Sequence, residues 1–264
     1  MVEKIWKLIQ GDSPLMAVAP HDGHEVRDEL LPYYNLNEQE RLYEEDPFTK
    51  EWAKIAPTYL IGLHSRFEVD LNRPKDIAIY QTPEQAWGLK VWKTPLPQDI
   101  INRTMENYHA FYDTYLEVMQ AIESQYGYIV VLDIHTYNHR RDGADMPPAP
   151  PIDNPEINIG TSNMDSTYWR DILDTFTQDL RRYNYMGRQL DVREDVRWRG
   201  GPISWFVHEH FPRTGISINI EVKKFFMDEL TGEPDWEQIN LLKKAFESTL
   251  PNLLDAMKTK FGKS

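Results

Sequence analysis

Two histidines stand at the ends of apolar runs far apart in the chain: Leu15-Met16-Ala17-Val18-Ala19-Pro20-His21 and Tyr128-Ile129-Val130-Val131-Leu132-Asp133-Ile134-His135. Neutral imidazole is a common metal ligand, and a strand end holds a side chain in a fixed direction. A third run, Gly215 to Ile220, leads into Glu221, a carboxylate able to bind metal or carry a proton. If these runs are strands of one sheet, they deliver three reactive groups to one edge, where open α/β sheets place their ligands.

Around the first histidine the sequence reads Pro20-His21-Asp22-Gly23-His24-Glu25, and Gly23 permits a tight turn that could return His24 or Glu25 to the same ion. A hydrolytic zinc site commonly takes three protein ligands and leaves a fourth position for water, whose pKa falls to about 7. The set here is His21, Glu25 and His135. A single histidine of this kind is equally well read as a strand cap, but two with acidic neighbours point to metal. Asp133 shares a strand face with His135 and is read as orienting a neighbouring loop, not as a ligand. Glu221, followed by Lys223 and Lys224, by itself reads as a surface ion pair. Beside the histidines it becomes a general base. Arg66, Asn72 and Arg73 form an anion-binding group, because a guanidinium grips a carboxylate through two parallel hydrogen bonds. The competing reading is a structural Arg–Asp pair using Asp70.

The chain has 264 residues, 41% of them hydrophobic, which suits one α/β domain spanning 1–264. A net charge of −13 opposes a nucleic-acid partner and leaves small molecules as the expected ones. Cysteine is absent, so His, Asp and Glu are the strong ligands available. No signal-like or membrane-spanning apolar run is present, and the expected location is cytoplasmic.

The elements that must position these groups follow from patterning. Glu38 to Pro47 reads as helical turns ended by proline. Phe67-Glu68-Val69-Asp70-Leu71 alternates at period two, as a half-buried strand does. Lys75 to Pro97, with Trp87 and Trp92, reads as a long covering loop. Apolar residues three or four apart predict helices over Gln98–Gln125, Ser166–Tyr183 and Asp235–Lys260, and Gly127 stops the first. Met146 to Pro151 is a proline-rich loop or lid, and Ile157–Gly160 is a strand. Helices alternating with strands predict a mixed or parallel sheet covered on both faces.

Several segments in consistent order carry a resemblance: Pro20-His21-Asp22-Gly23, Ser65-Arg66 ahead of Asp70-Leu71-Asn72-Arg73-Pro74, Leu132-Asp133-Ile134-His135, Asn158-Ile159-Gly160-Thr161, and Ile220-Glu221-Val222-Lys223 before Met227-Asp228. Together they resemble the N-formylglutamate amidohydrolase family, which is similar to zinc carboxypeptidases and to the aspartoacylase and succinylglutamate desuccinylase group. The resemblance implies a phosphorylase/hydrolase-like α/β fold, one catalytic zinc, His21 and His135 as ligands and Glu221 as general base. It implies Asn72 and Arg73 as the grip on a substrate carboxylate and Arg66 as the group polarising the scissile carbonyl. In the carboxypeptidase pattern the acidic ligand is the third residue after the first histidine, a position occupied here by His24. Glu25 is favoured as the third ligand, His24 is the runner-up and Asp46 follows. The expected activity is hydrolysis of the amide of an N-acyl, in particular N-formyl, acidic amino acid. A metallocarboxypeptidase acting on a short peptide, or a non-catalytic carboxylate-binding relative, are the alternatives.

Overall fold

The computed structural model describes residues 4–143, 145–161 and 163–262. Seven strands form one mixed sheet: β1 (Trp6–Ile9), β2 (Leu15–Ala19), β3 (Thr58–Gly62), β4 (Ile129–Tyr137), β5 (Ile157–Gly160), β6 (Val192–Glu194) and β7 (Gly215–Lys223), in the order β1-β3-β2-β4-β7-β5-β6. The helices are α1 (Glu38–Glu44), α2 (Thr49–Ala53), α3 (Gln98–Tyr126), α4 (Ser166–Arg182), α5 (Pro202–His210) and α6 (Trp236–Phe261).

The strands that carry the histidines and Glu221 are neighbours. β2, β4 and β7 run parallel at the centre of the sheet, with Val18 beside Asp133 and His135 beside Glu221. Parallel strands are covered on both faces and so read as continuous apolar runs. All five residues of β2 and all nine of β4 are buried accordingly. Of the two cores, one packs Val130, Leu132 and Ile218 with Leu173 of α4 and Phe246 of α6. The other packs Val18, Ile129 and Val131 with Phe111 and Tyr115 of α3 and Ile203 of α5. The fold is thus the expected α/β sheet with helices on both faces.

Helix boundaries follow the local chemistry. Asn37 and Glu40 form a reciprocal capping box on α1, and Asp165 and Asp235 each accept a backbone N–H at the starts of α4 and α6. Gly127, at φ +80°, ends α3 in the left-handed conformation that glycine adopts without strain.

One expected strand is absent. Phe67 to Leu71 is a series of turns, and its acidic residues do not face water: Glu68 and Asp70 are as buried as Phe67, Val69 and Leu71. Glu68 is buried against His64 and Arg27, Asp70 against His21 and Arg66, so the period-two pattern marks two sets of inward contacts. Among the described residues no helix is long and apolar enough to cross a membrane.

Candidate metal centre

His21 lies two residues past the end of β2, and His135 lies near the end of β4. Asp46 lies in the turn between α1 and α2, which is tied to the first histidine by a bond from the Asp46 N–H to the His21 carbonyl (2.9 Å). Thr49 returns its N–H and hydroxyl to the Asp46 carbonyl, and the Thr136 hydroxyl donates to Asp46 Oδ1 (2.8 Å). The other carboxylate oxygen, Oδ2, is 3.2 Å from His21 Nδ1 and 3.3 Å from His135 Nδ1. All three side chains are buried. A tetrahedral zinc shell with bonds of about 2.0–2.1 Å sets its donors roughly 3.3 Å apart, which is the spacing of Asp46 Oδ2 from each of the two ring nitrogens.

The far nitrogen of each ring is occupied in the same way. His21 Nε2 is 2.7 Å from Asp70 Oδ1, and His135 Nε2 is 2.7 Å from Asp133 Oδ1. A carboxylate on one nitrogen fixes the tautomer and turns the other nitrogen inward, an arrangement that metal-binding histidines use. Burial alone would raise the Asp70 carboxyl, but Arg66, His21 and Arg73 outweigh it and hold it well below the usual range. Burial is likewise outweighed at Asp46 by hydrogen bonds from His135 and His21. At His135 burial favours the neutral ring, yet Asp133 and Asp46 raise its pKa well above normal.

A cavity of about 220 Å³ opens over this cluster, and its wall includes Glu221, Arg66, Asn72 and Arg73. Glu221 lies beside His135 in the β4–β7 register. Burial, with Asp46 and Asp133 nearby, raises its carboxyl to about 8 despite His135 and Arg66. Arg66 donates Nε and Nη2 to Asp70 Oδ2 (3.1 and 2.7 Å) and Nη1 to the Glu44 carbonyl (3.2 Å), and its guanidinium lies over the Trp87 ring at 4.6 Å. Three of its five N–H donors are used, which leaves two. Arg73 is only 4.0 Å from Asp70 and is 36% exposed, so its guanidinium is the more available one. Asn72 accepts the Ile203 N–H at the start of α5 (3.0 Å), and a Cβ on Gly201 would lie 2.6 Å from its side chain, so glycine is required for that approach.

The residues expected at the site thus meet, with one exception. Glu25 stands outside the cluster: its side chain is 74% exposed and its carboxylate is 3.8 Å from His64 Nε2. Gly23 does not turn the chain back toward the two histidines. A Cβ there would lie 2.1 Å from the Leu63 backbone, so glycine lets the two segments run side by side, joined by the Glu25 N–H to the Leu63 carbonyl and the Ser65 N–H to the Glu25 carbonyl. His24 is drawn off by Glu45, 2.5 Å away. The carboxylate that lies against both histidines is that of Asp46. Neither arginine stands free of Asp70: Arg66 makes the structural pair and also faces the cavity. Glu221 makes no surface ion pair with the lysines that follow it, since Lys223 donates to the Asn154 carbonyl and Lys224 to those of Tyr43 and Glu45. Patterning gave no sign of Asp70 as the partner of His21, because the two are 49 positions apart.

The sequence profile of the N-formylglutamate amidohydrolase family matches residues 13–227. The fold is similar to the crystal structure of an N-formylglutamate amidohydrolase from Ralstonia eutropha JMP134, with a TM-score of 0.76, 15% identity, and coverage of 97% of this chain and 98% of that one. It is also similar to that of a gene product from Agrobacterium tumefaciens, with a TM-score of 0.64, 18% identity, and coverage of 96% and 97%. No curated protein matches the chain.

Proposed function

Because the chain belongs to the N-formylglutamate amidohydrolase family, we propose that it hydrolyses the amide of an N-acyl acidic amino acid such as N-formylglutamate, using one zinc ion held by His21, Asp46 and His135. The observation that carries this reading is the convergence of two Nδ1 atoms on Asp46 Oδ2, each ring braced from behind by a buried aspartate. The ion, when bound, supplies Lewis acidity and acidifies water near neutral pH.

The chain's own groups do the rest. Arg73 and Asn72 bind the substrate carboxylate and so fix the amide over the cluster. Water attacks the acyl carbon, and its proton passes to Glu221. The developing oxyanion faces the two unused N–H donors of Arg66. As the C–N bond breaks, Glu221 returns the proton to the amine nitrogen, releasing the amino acid and the acyl group as its carboxylate, formate for an N-formyl substrate. A cavity of about 220 Å³ has room for one acyl amino acid over the cluster.

The test is formate release from N-formyl-L-glutamate by purified protein, abolished by chelation and restored by zinc. Stoichiometric zinc without turnover of any N-acyl amino acid would instead identify a binding relative.

A further inference from the structure

Lys224 comes three residues after Glu221 and is 1% exposed. Its Nζ donates to the carbonyls of Tyr43 (2.6 Å) and Glu45 (2.8 Å), and no carboxylate pairs with it among the described residues. A buried ammonium is costly, and burial pulls this one down to about 8, with Asp46, Glu44 and Glu229 partly offsetting the effect. Such a residue is expected only where it holds something that matters.

The carbonyls it takes are among those that α1 leaves unpaired at its C-terminus, and they flank Glu44 immediately before Asp46. Other donors grip the same turn. Asn138 Nδ2 reaches the Tyr43 carbonyl (2.7 Å), Arg66 Nη1 reaches the Glu44 carbonyl (3.2 Å), and Arg141 pairs with the Glu44 carboxylate (2.7 and 2.9 Å). Of these, Lys224 alone spans both carbonyls of the turn's ends, linking the chain just past Glu221 to the segment that presents the carboxylate ligand.

We propose that Lys224 is a positioning residue for the metal centre, tying the Tyr43 and Glu45 carbonyls so that Asp46 is fixed against His21 and His135. The proposal rests on the metal reading above and deepens it. It also fixes a sign. Removing a positive charge near a cation site would by itself tighten metal binding, whereas removing the clamp weakens it.

The experiment measures zinc affinity by chelator competition in the parent, Lys224→Met, Asp46→Asn and the double variant, with circular dichroism to confirm folding. Lys224→Met is expected to weaken zinc about 10–100-fold, the usual effect of a residue that orients a ligand. In the Asp46→Asn background the same change is expected to stay within about threefold, because the ligand it positions is already lost. Unchanged or tighter binding in Lys224→Met, or equal weakening in both backgrounds, overturns the proposal. If Lys224→Met does not fold, Lys224→Gln, which lacks the charge and has a shorter reach, must still bind zinc more weakly than the parent, and equal affinity overturns the proposal. A parent that binds zinc normally while the variants match it defeats this inference alone. A parent that binds no zinc defeats the metal reading as well.

Discussion

The two imidazoles of the centre and the carboxylate between them belong to regions built in different ways. His135 and Glu221 lie on adjacent central strands, and the backbone register sets them side by side. Beneath them Asp133 Oδ2 accepts from Ser204 Oγ (2.8 Å) and Asn219 Nδ2 (3.0 Å), while the Ser217 N–H donates to His208 Nε2 (3.0 Å). Asp46, Asp70, Asn72 and Arg73 lie on turns, where side chains do the positioning. Asp70 alone takes His21 Nε2, Arg66, the Tyr80 hydroxyl and the Asn72 N–H. The strand side therefore draws its precision from the ladder, and the loop side from buried charged contacts that one substitution can remove.

The largest expected effect concerns chemistry on the strand side. Glu221→Gln keeps the shape of the side chain and removes the base, so kcat should fall roughly 10²–10⁴-fold while zinc content stays at the parent level. Turnover within a few-fold of the parent would remove Glu221 from proton transfer.

A matched pair of changes sharpens the contrast between regions. Asp70→Asn and Asp133→Asn each take the brace from one histidine, and such changes weaken metal binding about 10–100-fold. The loop-side Asp70→Asn should lie near the upper end, because it also releases Arg66, Tyr80 and Asn72, and Asp133→Asn near the lower end, because β4 still holds His135. Equal losses in chelator competition would break the comparison.

A smaller effect is expected at Arg73. Arg73→Lys keeps the charge but loses the paired hydrogen bonds, so KM for N-formylglutamate should rise several-fold to about tenfold with zinc content unchanged. An unchanged KM would reduce Arg73 to a partner of Asp70.

The support beneath the strand side is open to a pH test. His208 accepts the Ser217 N–H at Nε2, and its protonated Nδ1 donates to Asn163 Oδ1 (2.7 Å). Burial lowers its pKa to about 4, against about 6.5 in the unfolded chain. The unfolded state thus binds the proton first, and this stabilisation is complete above about pH 6.5 and lost as pH falls toward 4, up to roughly 3 kcal/mol. Urea unfolding of zinc-free protein at pH 7 and pH 4.5 should show a smaller difference in His208→Gln than in the parent.

The same division explains what could be read from the chain. β2, β4 and β7 were legible because buried parallel strands write themselves as apolar runs, and the histidines and Glu221 come at their ends. The helices over 98–126, 166–182 and 236–261 were legible from their periodicity. The short β6 and the nine-residue α5 leave weak patterns, and α5 matters because its start packs on Asn72. The carboxylate that meets the two histidines was the hardest to place. Glu25 is close to His21 in sequence, whereas Asp46 reaches it through a turn whose geometry depends on Thr49, Thr136 and the His21 carbonyl, contacts that no local pattern records.

Which carboxylate completes the centre is tested most directly by zinc titration of Asp46→Asn and Glu25→Gln beside the parent. The structure predicts that Glu25→Gln binds one zinc with parental affinity, since its side chain lies in solvent, and that Asp46→Asn loses most of its zinc affinity with the fold intact. Parental affinity in Asp46→Asn together with loss in Glu25→Gln would contradict the centre described above.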